Sequence, residues 1–334
     1  MGKTRMNLEK RFDPKVGVMF GALILFSLIV TFRMNNYTVL VVNMALINMI
    51  TAYGLSIMLG MCGQLVFSGV AFMGIGAYLT ANLCSGRLGF TLPGTVSIVV
   101  SVFLTALIAL ATGALFLRLK NSFCTFATLG FVQVLYTLFL NYEPAFGGPK
   151  GIPEIRTLSV GGFIFDSYKK WYFLLLICVL IIAGLVERIR RTSLGRSLAS
   201  IRDNEIAAQT LGVDIYRTRV IAFVIAGAFA GLSGSLLAQH NRFISGDQFS
   251  FAKSTTIVIM SMLGGINSTP GIFVGALIVT FLPEVLRGLD KYLMFIYGIA
   301  VIIMMIFMPM GIGGAVSDFL KNMRRKRKLK QPEI

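Results

Sequence analysis

The chain has 334 residues, of which 56% are hydrophobic and 13% are charged, and its formal net charge is +17. Its mean hydropathy is +0.79. So few polar residues cannot cover so much apolar surface in water, which excludes a soluble globular protein and indicates an integral membrane protein.

Charge-free segments predict the membrane spans. Most of them approach or exceed the ~20 residues that cross hydrocarbon as a helix, and none alternates as a barrel strand would. In chain order, the segments without Asp, Glu, Lys or Arg are 16–32, 34–86, 88–117, 121–142, 171–186, 220–241, 254–283 and 292–317. The pattern predicts an all-α, polytopic bundle of about eight to ten transmembrane helices.

Two of these segments contain a break. Segment 34–86 is too long for one crossing at about 1.5 Å per residue, and segment 254–283 has a cluster of glycine and proline at its middle. The residues that mark the breaks are Gly60, Gly63 and Gln64 in the first and Gly264, Gly265, Pro270 and Gly271 in the second. Irregular backbone at membrane depth requires polar surroundings. The candidate substrate-pathway residues are therefore Gln64, Ser68, Gly264, Gly265 and Asn267.

Loop 141–170 is the longest segment predicted on the outer side. It contains the run FGGPKGIP. This glycine and proline content favours a folded lid or a short surface helix over a pair of strands.

Loop 188–219 is the one long basic interruption in the second half of the chain. It predicts a short amphipathic helix outside the membrane, with a cap at Thr192 or Ser193 and an end at Gly212. Its apolar face consists of Leu194, Leu198, Ile201, Ala208 and Leu211. Its polar face consists of Arg196, Arg202, Asp203 and Glu205. The pattern fits a docking element, and it fits equally a solvated loop that only separates two spans.

Lys and Arg near the span ends predict the orientation. With ten spans, both tails, loop 188–219 and the short loop after the fourth span lie on one side and carry most of the 31 Lys and Arg residues. The sequence therefore predicts one membrane domain at 16–317, with basic cytoplasmic tails at 1–15 and 318–334. These tails are expected to attract anionic lipid headgroups, so the positive charge requires no nucleic-acid partner.

Nothing in the sequence supplies a source of energy. Glu187, Glu284 and His240 fall near span ends, whereas a proton-coupled carrier keeps such a group within its pathway. The phosphate-binding motif G-x-x-x-x-G-K-[ST] is also missing from the sequence, and the four widely spaced cysteines predict neither a metal site nor a disulfide framework. A transport chain of this kind is expected to take its energy from a partner and not to be an enzyme.

Two stretches carry a family resemblance. The run NEIAAQTLG resembles the ATPase-docking loop of the permease subunits of ABC importers. The longer run GRSLASIRDNEIAAQTLGVDIYRTRVIAF and the stretch GQLVFSGVAFMGIGAYLTA, at 63–81, resemble the branched-chain amino acid permeases among them. The resemblance extends from about Val39 to Arg287, and it implies that loop 188–219 is a cytoplasmic coupling element. The ATPase-coupling residues that it implies are Arg196, Arg202, Asp203, Glu205, Ala207, Ala208 and Gly212.

The resemblance also implies a function and partners. The chain would carry branched-chain or related amino acids across a bacterial inner membrane, with both termini cytoplasmic. Its partners would be a second homologous permease subunit, two cytoplasmic ATPases that bind ATP and Mg²⁺, and a periplasmic or lipid-anchored substrate-binding protein. The chain itself would bind no cofactor. An ATPase-independent channel or gradient-driven carrier for a small polar solute, such as urea or an amide, is the alternative, and the two broken helices disfavour a scaffold or receptor.

Overall fold

The computed structural model describes residues 35–87, 91–119, 121–160 and 163–285, together with a few isolated positions elsewhere. The predicted first and last spans, 16–32 and 292–317, lie outside these four ranges, as do both basic tails. Their predicted structure and orientation therefore stay predictions.

The described part of the chain is built almost entirely from helices. In chain order the α-helices are α1 (Asn36–Ser56), α2 (Gly69–Cys84), α3 (Gly94–Phe116), α4 (Asn121–Asn141), α5 (Glu143–Phe146), α6 (Tyr168–Arg191), α7 (Ser193–Asp203), α8 (Glu205–Thr210), α9 (Ile215–Asn241), α10 (Phe251–Gly264) and α11 (Thr269–Val285). A π-helical turn, Ile57–Met61, continues α1, and 3-10 turns form at Gly148–Lys150 and Gly246–Phe249.

The helix lengths confirm the predicted fold class. Among the described residues, five helices are long and apolar enough to cross a membrane, namely α1 with its π turn, α3, α4, α6 and α9. Three shorter apolar helices, α2, α10 and α11, flank the two predicted breaks. Both long charge-free segments are therefore divided where the glycines predicted a division. The protein is an all-α, multi-pass membrane protein.

Close helix contacts hold the centre of the bundle together. Helices α1 and α9 are largely buried, whereas α3 and α4 each bury only a minority of their residues. A Cβ atom on Gly234 of α9 would overlap the backbone of Met73, and one on Gly231 would overlap Thr105. Small residues at these positions let the backbones approach. Ser233 Oγ also donates to the Ile47 carbonyl at 2.6 Å, which ties α9 to α1.

The structure of loop 141–170 differs from its prediction. The short surface helix is present as α5, but a strand pair is present too: β1 (Ser159–Val160) and β2 (Phe163–Ile164) are antiparallel, with Ser159 opposite Ile164. The sequence carried a signal for this pair, because two glycines between short apolar runs favour a two-residue hairpin turn. An isolated bridge between Ile152 and Ile244 joins the loop to the segment just after α9.

Candidate functional site

Loop 188–219 folds into two helices, where one was predicted. Helix α7 ends at Asp203, and α8 begins at Glu205. Between them Asn204 is extended, with φ −159° and ψ 111°, and its Oδ1 accepts a hydrogen bond from the Ala207 N–H at 3.0 Å. Asparagine is a favoured N-cap because its side chain replaces a missing backbone acceptor. The continuous helix was therefore wrong, and the chain restarts at a capped second helix.

The helical part of the loop begins and ends where the sequence predicted. Thr192 occupies the N-cap position of α7, although its hydroxyl donates backwards to the Ile189 carbonyl at 2.7 Å. Gly212 follows α8 with φ +82°, a left-handed conformation that glycine adopts without steric cost. Asp214 then caps α9, because its Oδ1 accepts from the Arg217 N–H at 3.0 Å.

The break at Asn204 changes which side chains α8 exposes. Leu198, Ile201 and Ala208 are buried as predicted. Leu211, predicted on the same face, is instead 80% exposed, and Ile206 is 77% exposed. The prediction for Leu211 was wrong because one helical register does not continue across Asn204. Two large apolar side chains are therefore exposed within six residues of each other on this connecting segment.

A bidentate ion pair joins α8 to the first turns of α9. Arg219 Nη1 donates to Glu205 Oε1 at 3.0 Å, and Nη2 donates to Oε2 at 3.1 Å. The Arg219 side chain is only 10% exposed, whereas that of Glu205 is 44% exposed. Such paired bonds fix orientation as well as distance. Arg219 was missed as a site residue, although it is the last charge before segment 220–241.

A second arginine connects α7 to the first broken helix. Arg202 Nη1 donates to the Gly60 carbonyl at 2.9 Å, while Nε and Nη2 donate to Asp203 Oδ1 at 3.1 and 3.0 Å. Gly60 lies in the π turn that ends α1. Gly63 has φ +74°, and a Cβ atom on it would meet Arg202 Cγ at 2.7 Å. The glycines at this break thus make room for loop 188–219.

The second break reaches the same carbonyl. With the Asn267 amide oriented to satisfy its neighbours, its nitrogen donates to the Gly60 carbonyl at 2.8 Å and its oxygen accepts from Arg202 Nη1 at 3.1 Å. A Cβ atom on Gly60 would overlap the Ile266 carbonyl. We call the set Gly60, Arg202 and Asn267 the Gly60 junction. It brings both broken helices and the loop together.

Hydroxyl groups satisfy the irregular backbone after Gly63. Thr125 Oγ1 donates to the Leu65 carbonyl at 2.8 Å, and Ser254 Oγ donates to the Phe67 carbonyl at 2.5 Å. The Phe67 N–H donates to Thr128 Oγ1 at 3.2 Å. Exposed backbone groups are costly at membrane depth, and protein side chains on α4 and α10 meet that need here. These three hydroxyls could not be predicted from the sequence, because each lies in a different apolar segment from the break.

The second break is a tight turn. Gly265 has φ +96°, and its carbonyl accepts from the Ser268 N–H at 2.8 Å. Tyr53 on α1 donates its hydroxyl to the Thr269 carbonyl at 3.0 Å. A Cβ atom on Gly264 would overlap the Gly271 carbonyl, so this glycine packs α10 against α11. Gly264 and Gly265 therefore shape the turn.

A cavity of about 250 Å³ lies between the first break and loop 188–219. Its lining includes three of the predicted coupling residues, Arg202, Asp203 and Glu205, and one predicted pathway residue, Gln64. Ser68, Gly264 and Gly265 are buried elsewhere. Arg196 also lies apart and donates to the Arg191 carbonyl at 2.9 Å.

A larger open groove of about 1,210 Å³ borders α8 on its other side. Ile206 and Gln209 form one wall, and Ser122 and Phe123, at the start of α4, form another. Among the described residues, no group of three or more His, Cys, Asp or Glu could hold a metal ion. The geometry therefore offers contact surfaces and polar linkages between helices.

Comparisons with known proteins point to one family. Residues 37–308 match the family described as branched-chain amino acid transport system / permease component. The high-affinity branched-chain amino acid transport system permease protein LivM of Escherichia coli (strain K12) is 30% identical over 323 residues, which cover 87% of this chain and 73% of that protein. No solved structure matches significantly.

Two further relatives are more distant. The probable branched-chain amino acid transport permease protein LivM of Methanocaldococcus jannaschii is 26% identical over 204 residues, 58% of this chain and 57% of the relative. The autoinducer 2 import system permease protein LsrC of Klebsiella pneumoniae is 30% identical over 178 residues, 51% of this chain and 48% of the relative. The relatives' names thus include different transported compounds.

Proposed function

The chain belongs to the branched-chain amino acid transport system permease family, and from this membership we propose that it is a membrane subunit of an ABC importer. It carries branched-chain or related amino acids across a bacterial inner membrane. Cytoplasmic ATPases that bind loop 188–219 drive the transport. The names of the LivM relatives support this substrate class, and the LsrC relative shows that a similar chain serves a different solute.

One observation carries the proposal: the loop exposes large apolar side chains and is also bonded to membrane helices on either side of it. Ile206 of helix α8 and Leu211, directly after it, are both exposed. Glu205 of the same helix holds Arg219 in α9, and Arg202 just before it reaches the Gly60 carbonyl. A displacement of α8 by an ATPase would therefore pull directly on a long membrane helix and on both breaks.

The proposed assembly contains this chain, a second homologous permease subunit, two cytoplasmic ATPases and a periplasmic or lipid-anchored substrate-binding protein. ATP and Mg²⁺ belong to the ATPases. The loop and both termini face the cytoplasm, which agrees with the excess of Lys and Arg predicted on that side.

Purification of the tagged chain from its native membrane tests the proposal. We expect an ATPase subunit to co-purify with the chain, and Ile206→Glu combined with Leu211→Glu to abolish that association, because two charges would replace an apolar contact surface. Ile206→Leu is the matched control and keeps the association. Failure of any ATPase to co-purify, or amino acid flux through the chain reconstituted alone, contradicts the proposal and favours a channel.

A further inference from the structure

The exposed faces of the long helices differ in character. Helix α3 exposes large apolar side chains along its length, and α6 does the same. On α3 they are Val96, Val99, Phe103, Leu107, Leu110 and Leu115, and on α6 they are Phe173, Ile177, Ile181 and Leu185. Surfaces of this kind suit hydrocarbon.

Helix α4 differs from them in part. It too exposes large apolar side chains, namely Phe123, Phe126, Val134 and Leu138. Among these it also exposes Gly130, Gln133, Thr137 and Asn141, which follow one another at three- and four-residue steps and so share one side of the helix. We call these four residues the polar stripe. Gln133 lies roughly 18 Å along the axis from the first residue of the helix at 1.5 Å per residue, which is near the middle of a span of ~30 Å.

Contact with lipid would be unfavourable for the polar stripe. Thr137 Oγ1 donates to the Gln133 carbonyl at 2.9 Å, and Asn141 Nδ2 donates to the Thr137 carbonyl at 2.8 Å, so these two side chains are partly satisfied within the helix. The Gln133 amide lies on the same exposed side at the centre. An amide facing hydrocarbon is costly and requires water or a polar partner.

Both ends of α4 lead to polar features. At its start, Ser122 and Phe123 border the open groove whose opposite wall is Ile206 and Gln209 of the coupling loop. Toward its end, Tyr136 donates its hydroxyl to Asp247 Oδ1 at 3.4 Å, which places an exposed carboxylate beside the stripe. A carboxylate there attracts a solute with an ammonium group.

We propose that the polar stripe lines the water-filled solute pathway, with Gln133 contacting the solute at mid-membrane and Asp247 favouring the ammonium group of an amino acid. This inference rests on the proposed transport function and assigns the pathway side of the subunit. Solute on the α4 side would pass next to the groove between α4 and α8. A displacement of α8 would therefore change the shape of the pathway at the start of α4.

Thiol labelling of the assembled transporter tests the proposal. The native cysteines are buried or half-buried, so the unmodified chain serves as the blank. Gln133→Cys is expected to react with a membrane-impermeant thiol reagent at least about tenfold faster than Phe103→Cys on the apolar face of α3, because the reactive thiolate forms only in contact with water. An excess of amino acid substrate should slow the first reaction. Equal rates for the two variants would overturn the proposal.

Two exposed glycines supply a matched pair for a second test. A Cβ atom on Gly130 of α4 or on Gly184 of α6 would meet nothing within 4 Å. Gly130→Trp is expected to lower ATP-driven uptake at least about tenfold while ATPase co-purification persists, because the ring would obstruct the pathway. Gly184→Trp should transport normally, and equal uptake by the two variants would overturn the proposal. If the native chain binds no ATPase, the proposed function is refuted instead. The two failures can be told apart, because the labelling rates are measured without ATPase activity.

Discussion

Arg219 is the most deeply buried charged partner of loop 188–219 among the ion pairs described above. Its guanidinium is nearly buried and makes two bonds to a carboxylate that is itself half-exposed. Removing one partner of such a pair leaves the other in a poor environment, and this cost exceeds the net contribution of the pair. Because Glu205 is half-exposed, water reduces the cost of leaving Arg219 unpaired. We therefore expect loss of the ion pair to cost about 1 kcal/mol.

Glu205→Gln is therefore expected to lower ATP-driven uptake about fivefold, which corresponds to about 1 kcal/mol. Arg219→Lys should have a similar effect, because an ammonium group cannot reproduce the two-pronged contact. Uptake by reconstituted vesicles, measured beside the ATPase rate, checks both variants. Unchanged uptake in Glu205→Gln would show that the Glu205–Arg219 ion pair does not contribute to transport.

Gly60 has no room for a side chain. Gly60→Ala would drive a Cβ atom into the Ile266 carbonyl, and the two breaks would have to separate. We expect a lower melting temperature, equivalent to about 1–3 kcal/mol for an overpacked site. Thermal unfolding in detergent measures the change. Gly184→Ala, which meets no neighbouring atom, is the control and should not be destabilised.

At the scale of elements, hydropathy was sufficient for the positions of the described membrane helices and of both breaks. The length of segment 34–86 forced a division, and Gly60 and Gly63 marked it within a few residues. The hairpin in loop 141–170 was missed because glycine and proline content was weighed over the turn signal. The division of loop 188–219 was missed because the apolar spacing of Leu198, Ile201 and Ala208 fits one helix, and only Asn204 distinguishes two.

The site was harder to predict than the fold. Arg202, Asp203 and Glu205 do lie together at the cavity, but no sequence pattern connects Arg202 with Gly60, which is 142 positions away. Contacts of this range depend on how helices cross, and hydropathy carries no information on that crossing. Arg219 was left out for the same reason, because its partner is set by the fold of α8.

The cap at Asn204 makes a prediction at this scale. Asn204→Ala removes the acceptor for the Ala207 N–H and should destabilise α8 by about 1 kcal/mol, whereas Asn204→Asp keeps an acceptor and should not. Hydrogen exchange of the amides in 205–210 is expected to quicken about fivefold in the alanine variant. Identical exchange in the two variants would mean that packing of Ala208, rather than the cap, holds this helix.

For the whole molecule, the asymmetry of positive charge predicts which side faces the cell interior. Asn204→Cys, on the exposed link between α7 and α8, should react with an impermeant thiol reagent only in inside-out vesicles. Tyr142→Cys, exposed at the opposite end of α4 from the groove, should react only from outside. The reverse pattern would invert the bundle and remove loop 188–219 from the reach of any cytoplasmic ATPase.

The Gly60 carbonyl has a consequence of its own. A carbonyl oxygen has two lone pairs, and here Arg202 and Asn267 occupy both. This oxygen can accept nothing more until one donor withdraws. If the two broken helices separate, one donor leaves the Gly60 carbonyl, and a water molecule then donates to the vacated lone pair. Hydration of this one peptide oxygen would then report that the two broken helices have begun to separate.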